Sequence, residues 1–198
     1  SFSFAKVPYG TWIIREIESP KGYVLSEEEI AVTIGKVEEV VENELVNYFI
    51  KGNIAFTKVD EDYPDNKLSG AVFEVYSDTN GDGKLDKDDT LLGEMKELDG
   101  GVYQMSELRY GKYLVKETKA PTGFVLDKNV YSVSVEENGK TYTVENKAGV
   151  GFINAAQKGS LKIVKTSSDG KVEGFSFRVT GVDYDQTFKT DKNGEIVI

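Results

Sequence analysis

Apolar and polar residues alternate along this chain in short runs. NIAFTKV, AVFEVY, KYLVKE, VYSVSVE and KTYTVEN each repeat one character at every second position, the period of a strand with one face in a core and the other in water. Turn signals such as NGDG, LDGG and ENGK separate the runs, and no segment carries a helical period. Short strands at regular spacing predict an all-β chain, and a sandwich rather than a barrel.

The pattern also repeats at long range. YGTWIIREIESPKGYVLS at 9–26 matches YGKYLVKETKAPTGFVLD at 110–127, and LVNYFIKGNIAFTK at 45–58 matches FINAAQKGSLKIVK at 152–165. KLSGAVFEV at 67–75 has a fainter echo in KVEGFSFRV at 171–179. Such self-similarity marks copies of one module about a hundred residues long. Residues 51–156 hold every element once and in order. Residues 1–50 hold the C-terminal half of a module, and residues 157–198 the N-terminal half of a further one. The two halves complement each other, but within one chain their short linkers would have to span the intervening domain. Two readings stay open: a piece of a longer array, or neighbouring molecules pairing head to tail.

Strand parity exposes an anomaly. Ile54, Phe56 and Lys58 share a face, as do Tyr113, Val115 and Glu117, and Phe152 and Asn154. A lysine, a glutamate and an asparagine are thus expected to point into the core. The partial copies repeat the arrangement with Trp12, Ile14 and Glu16, with Leu45 and Asn47, and with Leu161, Ile163 and Lys165. These residues could sit at strand ends and reach solvent, and recurrence of all three polar types argues against that. They could also form a buried ion pair capped by an amide. A third reading is chemical. Burial pushes lysine toward its neutral, nucleophilic amine and a carboxylate toward its acid. An asparagine amide beside them offers an electrophilic carbon, and the acid can polarise its oxygen and relay protons to departing ammonia. The product is a Lys–Asn amide, formed once and without turnover.

Composition narrows the alternatives. The formal charge of −10 argues against sequence-independent nucleic-acid binding and against docking on anionic membranes. With no cysteine and no histidine, disulfides, thiol chemistry, cysteine-ligated zinc and the commonest general base are all absent. No apolar run approaches a membrane span, and the start SFSFAKVPYG lacks the features of a signal peptide, so the chain reads as an interior piece of a longer protein.

The three motifs together, GNIAFTKVD, KETKAPTGF and FIN, resemble the Cna protein B-type (SpaA-like) domains of Gram-positive surface adhesins and pilins. The resemblance covers 51–156 completely and both ends in part. It implies tandem immunoglobulin-like, prealbumin-like β-sandwiches, one complete and two partial. It also implies that Lys58 and Asn154 are the bond partners and Glu117 the catalytic acid. Glu16 and Asn47 would be a triad without its lysine, and Lys165 a lysine without its triad. The implied setting is extracellular, on a Gram-positive cell wall.

A separate motif, DTNGDGKLDKDD at 78–89, follows the spacing of a calcium loop. Asp78, Asn80, Asp82, the Lys84 carbonyl, Asp86 and Asp89 fall on positions 1, 3, 5, 7, 9 and 12, with Gly83 at the turn. A structural calcium ion is expected there, although the preceding run AVFEVYS is a strand and aspartate replaces the usual final glutamate. A solvated acidic hairpin is the alternative.

The expected function is a stalk or spacer whose partners are neighbouring repeats of the same protein. The alternative is an adhesin module gripping a host protein or glycan directly. The aromatic residues fall in strand patterns rather than clustering in a loop, which favours the stalk. An enzyme with turnover would need paired carboxylates in a cleft, and none stand out beyond those already assigned.

Overall fold

The computed structural model describes residues 3–4, 6–36, 38–181 and 184–198. The chain divides into two compact units, Ser1–Ala156 and Gln157–Ile198. The described residues form strands and one short 3-10 turn, Asp99–Gly101, with no α-helix. The all-β expectation holds.

Within the first unit, β1 (Gly10–Arg15) and β2 (Glu29–Ile34) pair antiparallel. The remainder builds two sheets. One contains β3 (Lys51–Asp60), β6 (Lys96–Leu98) and β7 (Val102–Arg109), with β10 (Thr141–Tyr142) and β11 (Phe152–Asn154) both parallel to β3. The other runs β5 (Thr90–Glu94), β4 (Val72–Ser77), β8 (Gly111–Lys119), β9 (Val130–Val135). First and last strands of the module therefore lie side by side.

Alternation along β3, β4 and β8 turns one face of each strand inward, and those faces make one core. Ile54, Phe56, Phe73, Val75, Tyr103, Tyr113, Val115, Val135 and Phe152 are its members. Its centre is aromatic: the Phe56 ring stands 4.8 Å from Phe73 and 5.1 Å from Phe152. Aromatic pairs like these, edge-on to Phe73 and stacked on Phe152, add about 0.5–1.5 kcal/mol per pair beyond the area buried. The Tyr103 hydroxyl is not stranded, since it accepts from the Ala71 N–H at 3.0 Å.

The run KTYTVEN is strand only at Thr141–Tyr142. Beyond it the Asn146 side chain substitutes for a ladder. Its Nδ2 donates to the Ile153 carbonyl at 2.8 Å and its Oδ1 accepts from the Ile153 N–H at 2.6 Å. One carboxamide satisfies both backbone groups, so no strand partner is needed there. Of the acidic run Asp60–Asp62, which as a cluster of like charges belongs at the surface, Glu61 and Asp62 are exposed and Asp60 is not. Asp60 is buried, and its carboxylate accepts from the N–H groups of Asp62 and Tyr63 to hold the turn after β3.

Residues 1–50 join the sandwich through shared backbone bonds. The Ile50 N–H donates to Gly22 O at 2.8 Å, and the Tyr110 N–H donates to Ile50 O at 2.9 Å. The Arg109 guanidinium stacks 4.0 Å over the Phe49 ring. In the second unit, β12 (Lys162–Val164) pairs with β15 (Glu195–Val197), and β13 (Ser176–Gly181) with β14 (Tyr184–Lys189).

Gly101 fixes the end of β3. Its φ is +69°, and a Cβ there would stand 2.9 Å from Leu68 O and 3.3 Å from Lys58 O. Gly101→Ala is expected to lower unfolding free energy by about 1–3 kcal/mol, through left-handed strain compounded by backbone overlap. Denaturant titration checks this, and a loss below about 0.5 kcal/mol, the range of ordinary surface changes, would contradict it.

Candidate functional site

β3, β8 and β11 deliver Lys58, Glu117 and Asn154 into the interior, where the first two are 0% and the third 2% exposed. Lys58 and Asn154 come from adjacent parallel strands, with Phe152 level with Lys58 in the register. Glu117 comes from the facing sheet, opposite Phe73 on β4. Aromatic packing around Phe56, Phe73 and Phe152 excludes water from the group.

Glu117 Oε2 accepts from the Asp127 N–H at 2.7 Å and from Asn154 Nδ2 at 3.0 Å. Asn154 Nδ2 also donates to Val125 O at 2.8 Å, so both amide hydrogens are engaged. Lys58 Nζ donates to Phe152 O at 3.2 Å, lies 3.8 Å from Glu117 Oε1 and sits 4.9 Å from the Phe152 ring centroid. Glu117 Oε1 and Asn154 Oδ1 are buried without a hydrogen-bond partner. An ammonium has three donors to place and a carboxylate only acceptors. A neutral amine beside a carboxylic acid fits these surroundings with fewer unmet groups than an ion pair.

Electrostatics point the same way. Burial lowers the Lys58 amine to about 8, against the opposing pull of Glu117 and Asp127. Burial raises Glu117, although N–H donors from Asn154 and Asp127 and the charge of Lys58 resist it. At neutral pH roughly a tenth of a lysine with that pKa carries a free lone pair. A neutral amine, a carboxamide and a carboxylic acid are the reactants of a transamidation.

Asp127 and Asn146 belong to the same assembly and were not singled out by strand parity. Burial pushes Asp127 up, but donors from Asn146, the Asn129 backbone, Tyr131 and the Asn129 side chain outweigh it, and its carboxyl stays below its ordinary range. Asp127 Oδ2 accepts from Tyr131 Oη at 2.7 Å and Asn146 Nδ2 at 2.8 Å. This fixes the loop whose N–H holds Glu117. The only trace in sequence is positional: Asp127 closes the repeated motif GFVLD, matched by GYVLS ending at Ser26.

Glu16 and Asn47 also meet: Glu16 Oε2 accepts from Asn47 Nδ2 at 2.7 Å. Both are half-buried. Lys165 belongs to the second unit, where its Nζ lies 4.6 Å from the Phe175 ring centroid.

The acidic residues of 78–89 are spread around one loop and cap its backbone. Asp78 Oδ1 and Oδ2 accept from the N–H groups of Gly81 and Gly83, at 2.7 and 3.1 Å. Asn80 Oδ1 accepts from Asp82, Asp82 from Lys84, Asp86 from Asp88, and Asp89 from Thr79 and Asp86, all through backbone N–H groups. Among the described residues no three acidic side chains converge as a metal centre would require.

A sequence model described as "SpaA: Prealbumin-like fold domain" matches residues 1–48 and 52–148. No curated protein sequence matches the chain. Among solved structures, the Bacillus anthracis TIE protein is similar at 27% identity and a TM-score of 0.78, over 97% of this chain and 34% of its own. BcpA, the major pilin subunit of Bacillus cereus, matches at 26% identity and a TM-score of 0.41, over 55% of this chain and 31% of its own. GBS52, the minor pilin of Streptococcus agalactiae, matches at 23% identity and a TM-score of 0.40, over 83% and 66%. The chain spans about a third of the length of the first two.

An Asn154→Ala variant leaves Lys58 without an amide to attack and exposes its titration. Denatured lysine keeps its proton up to its ordinary value of 10.5, whereas buried Lys58 releases it near 8. The unfolded state then binds more protons, so the thermal midpoint is expected to rise between pH 8 and 10. Above pH 10 the trend reverses, because folded Tyr103 and Tyr131 are pushed up to about 12 and bind protons that the unfolded state has lost. A midpoint that is flat or falls between pH 8 and 10 would contradict the assignment.

Proposed function

The chain belongs to the SpaA prealbumin-like fold domain family, and on that premise we propose that it is a load-bearing stalk segment of a Gram-positive surface protein, locked by an amide between Lys58 and Asn154. The observation that carries this reading is a lysine, a glutamate and an asparagine buried together, with the glutamate and asparagine hydrogen-bonded.

In the proposed reaction the Lys58 Nζ lone pair attacks Asn154 Cγ. Glu117, hydrogen-bonded at Asn154 Nδ2, is protonated and donates its proton to that nitrogen as the amide breaks. The Nζ–Cγ bond forms, the Cγ–Nδ2 bond breaks, ammonia leaves, and the proton lost by Nζ returns to Glu117. The dry core supplies the neutral amine, and the Asp127 and Val125 backbone groups hold acid and amide in register.

The amide would tie adjacent strands β3 and β11 at opposite ends of the module's sequence. Closing a loop of about 100 residues constrains the unfolded chain by about 4–5 kcal/mol, by analogy with disulfides. Tension entering near Lys58 and leaving near Asn154 would pass through that bond, and the 95 residues between them would not extend. A protein without cysteine gains a covalent lock in this way. For residues 78–89 we propose a structural calcium ion that draws the capping oxygens of Asp78, Asn80, Asp82, Asp86 and Asp89 toward one centre.

Intact mass of the folded chain is expected about 17 Da below the sequence mass, the ammonia expelled by amine attack on a carboxamide. Glu117→Ala is expected to restore full mass and lower the thermal midpoint. Full mass in the folded parent would overturn the amide. Calcium is expected to raise the midpoint of the Glu117→Ala protein reversibly with chelator, and an unchanged midpoint would favour a solvated loop.

A further inference from the structure

Asn154 is held on both flanks by one loop. On its C-terminal side the Val125 N–H donates to Ala155 O at 2.9 Å. On its N-terminal side the Asn146 carboxamide holds both backbone groups of Ile153, at 2.8 and 2.6 Å. Asn146 Nδ2 also donates to Asp127 Oδ2 at 2.8 Å, and Asp127 lies in the same loop as Val125. From that loop Val125 O accepts from Asn154 Nδ2, and the Asp127 N–H donates to Glu117 Oε2.

These bonds close a circuit. It runs from Glu117 Oε2 through Asp127 to the Asn146 side chain, on to Ile153, and back through Asn154 Nδ2 to the same carboxylate oxygen. Phe152, on the other side of Ile153, gives the carbonyl that accepts from Lys58 Nζ. Ile153 therefore stands between the residue that orients the amine and the residue that carries the amide. A staple on Ile153 alone would need only Asn146 Oδ1 and one N–H. The second N–H ties β11 to the loop that holds the acid, and the acid itself stands on β8, in the other sheet.

We propose that Asn146 is a positioning residue for amide formation, acting through Asp127 and Ile153 to hold acid, amine and carboxamide in one reactive geometry. The proposal rests on the reading of Lys58, Glu117 and Asn154 given above. Asn146 supplies neither proton nor charge, and it changes the rate of the step rather than its balance. A displacement of about 1 Å between reacting partners can cost about 100-fold in rate. Without the bridge, the loop that holds Glu117 and the strand that carries Asn154 are free to shift separately.

The test uses the 198-residue chain, collected unfolded in denaturant before it reacts, refolded by dilution and sampled over time by intact mass. The parent is expected to lose about 17 Da. Asn146→Ala is expected to reach the same final mass at least about tenfold more slowly. Leu108→Ala is the control for lost stability, since Leu108 is a core residue level with Gly52, toward the other end of β3 from Lys58. It is expected to lower the thermal midpoint at least as far, compared in the Glu117→Ala background, yet to react within about threefold of the parent.

Asp127→Ala cuts the same bridge from its other end and is expected to slow the reaction too. The double variant is expected to be no slower than the slower single one, because both changes remove one link. Slowing that multiplies in the double variant overturns the bridge. Asn146→Ala that reacts as fast as the parent or as Leu108→Ala overturns the positioning role and leaves the Lys58–Asn154 amide standing. If Asn146→Ala does not fold, Asp127→Ala decides alone: slowing upholds the bridge and the parent rate overturns it. A folded parent of full sequence mass overturns the amide and the positioning role together.

Discussion

Taking a charged amine out of water is costly, and the sandwich does this to Lys58 without offering it a full set of acceptors. The ammonium would have one carbonyl, Phe152 O, at hydrogen-bond distance and one carboxyl oxygen farther off at 3.8 Å. Desolvation then shifts both ionisable partners toward neutrality. In solvent the same residues would be an ordinary ion pair and an inert amide. The proposed chemistry at this site is therefore a property of the closed core, and strands that deliver side chains from both sheets are a condition for it.

The same geometry would serve the proposed mechanical role. β3 opens the complete module and β11 ends it, yet they are neighbours in one sheet, parallel and in register. The amide proposed between them would shield everything enclosed, including the loop at 78–89 and the short strands β5 and β6. Glu117 reaches in from the opposite sheet, so the acid is held by a separate layer of packing. Outside the enclosed stretch, residues 1–50 are tied on by the Ile50 and Tyr110 backbone bonds and the Arg109–Phe49 stacking. That junction is backbone-led and close.

Much of this was legible in alternation and repetition. Parity put Lys58, Glu117 and Asn154 on inward faces, since side-chain direction in a strand is a local property. Asp127 and Asn146 escaped notice because their roles depend on partners far along the chain. Asn146 replaces a strand by bonding both backbone groups of Ile153, and Asp127 organises a loop through Tyr131 and Asn146. Asp60 shows the converse: a charge run reads as surface, but this carboxylate is buried as the cap of a turn. At 78–89 the ligand spacing was plain, whereas the commitment of those oxygens to backbone N–H groups was not.

By itself the sequence determined the strand pattern, the module repeat and the identity of three polar residues facing inward, because each follows from a period or a copy. Tertiary structure alone decided that Lys58 and Asn154 lie on adjacent parallel strands, that Glu117 holds the amide from across the core, and that Glu16 and Asn47 are hydrogen-bonded to each other. Reactivity depends on distance and on the exclusion of water, and neither exists until residues far apart in the chain are packed together.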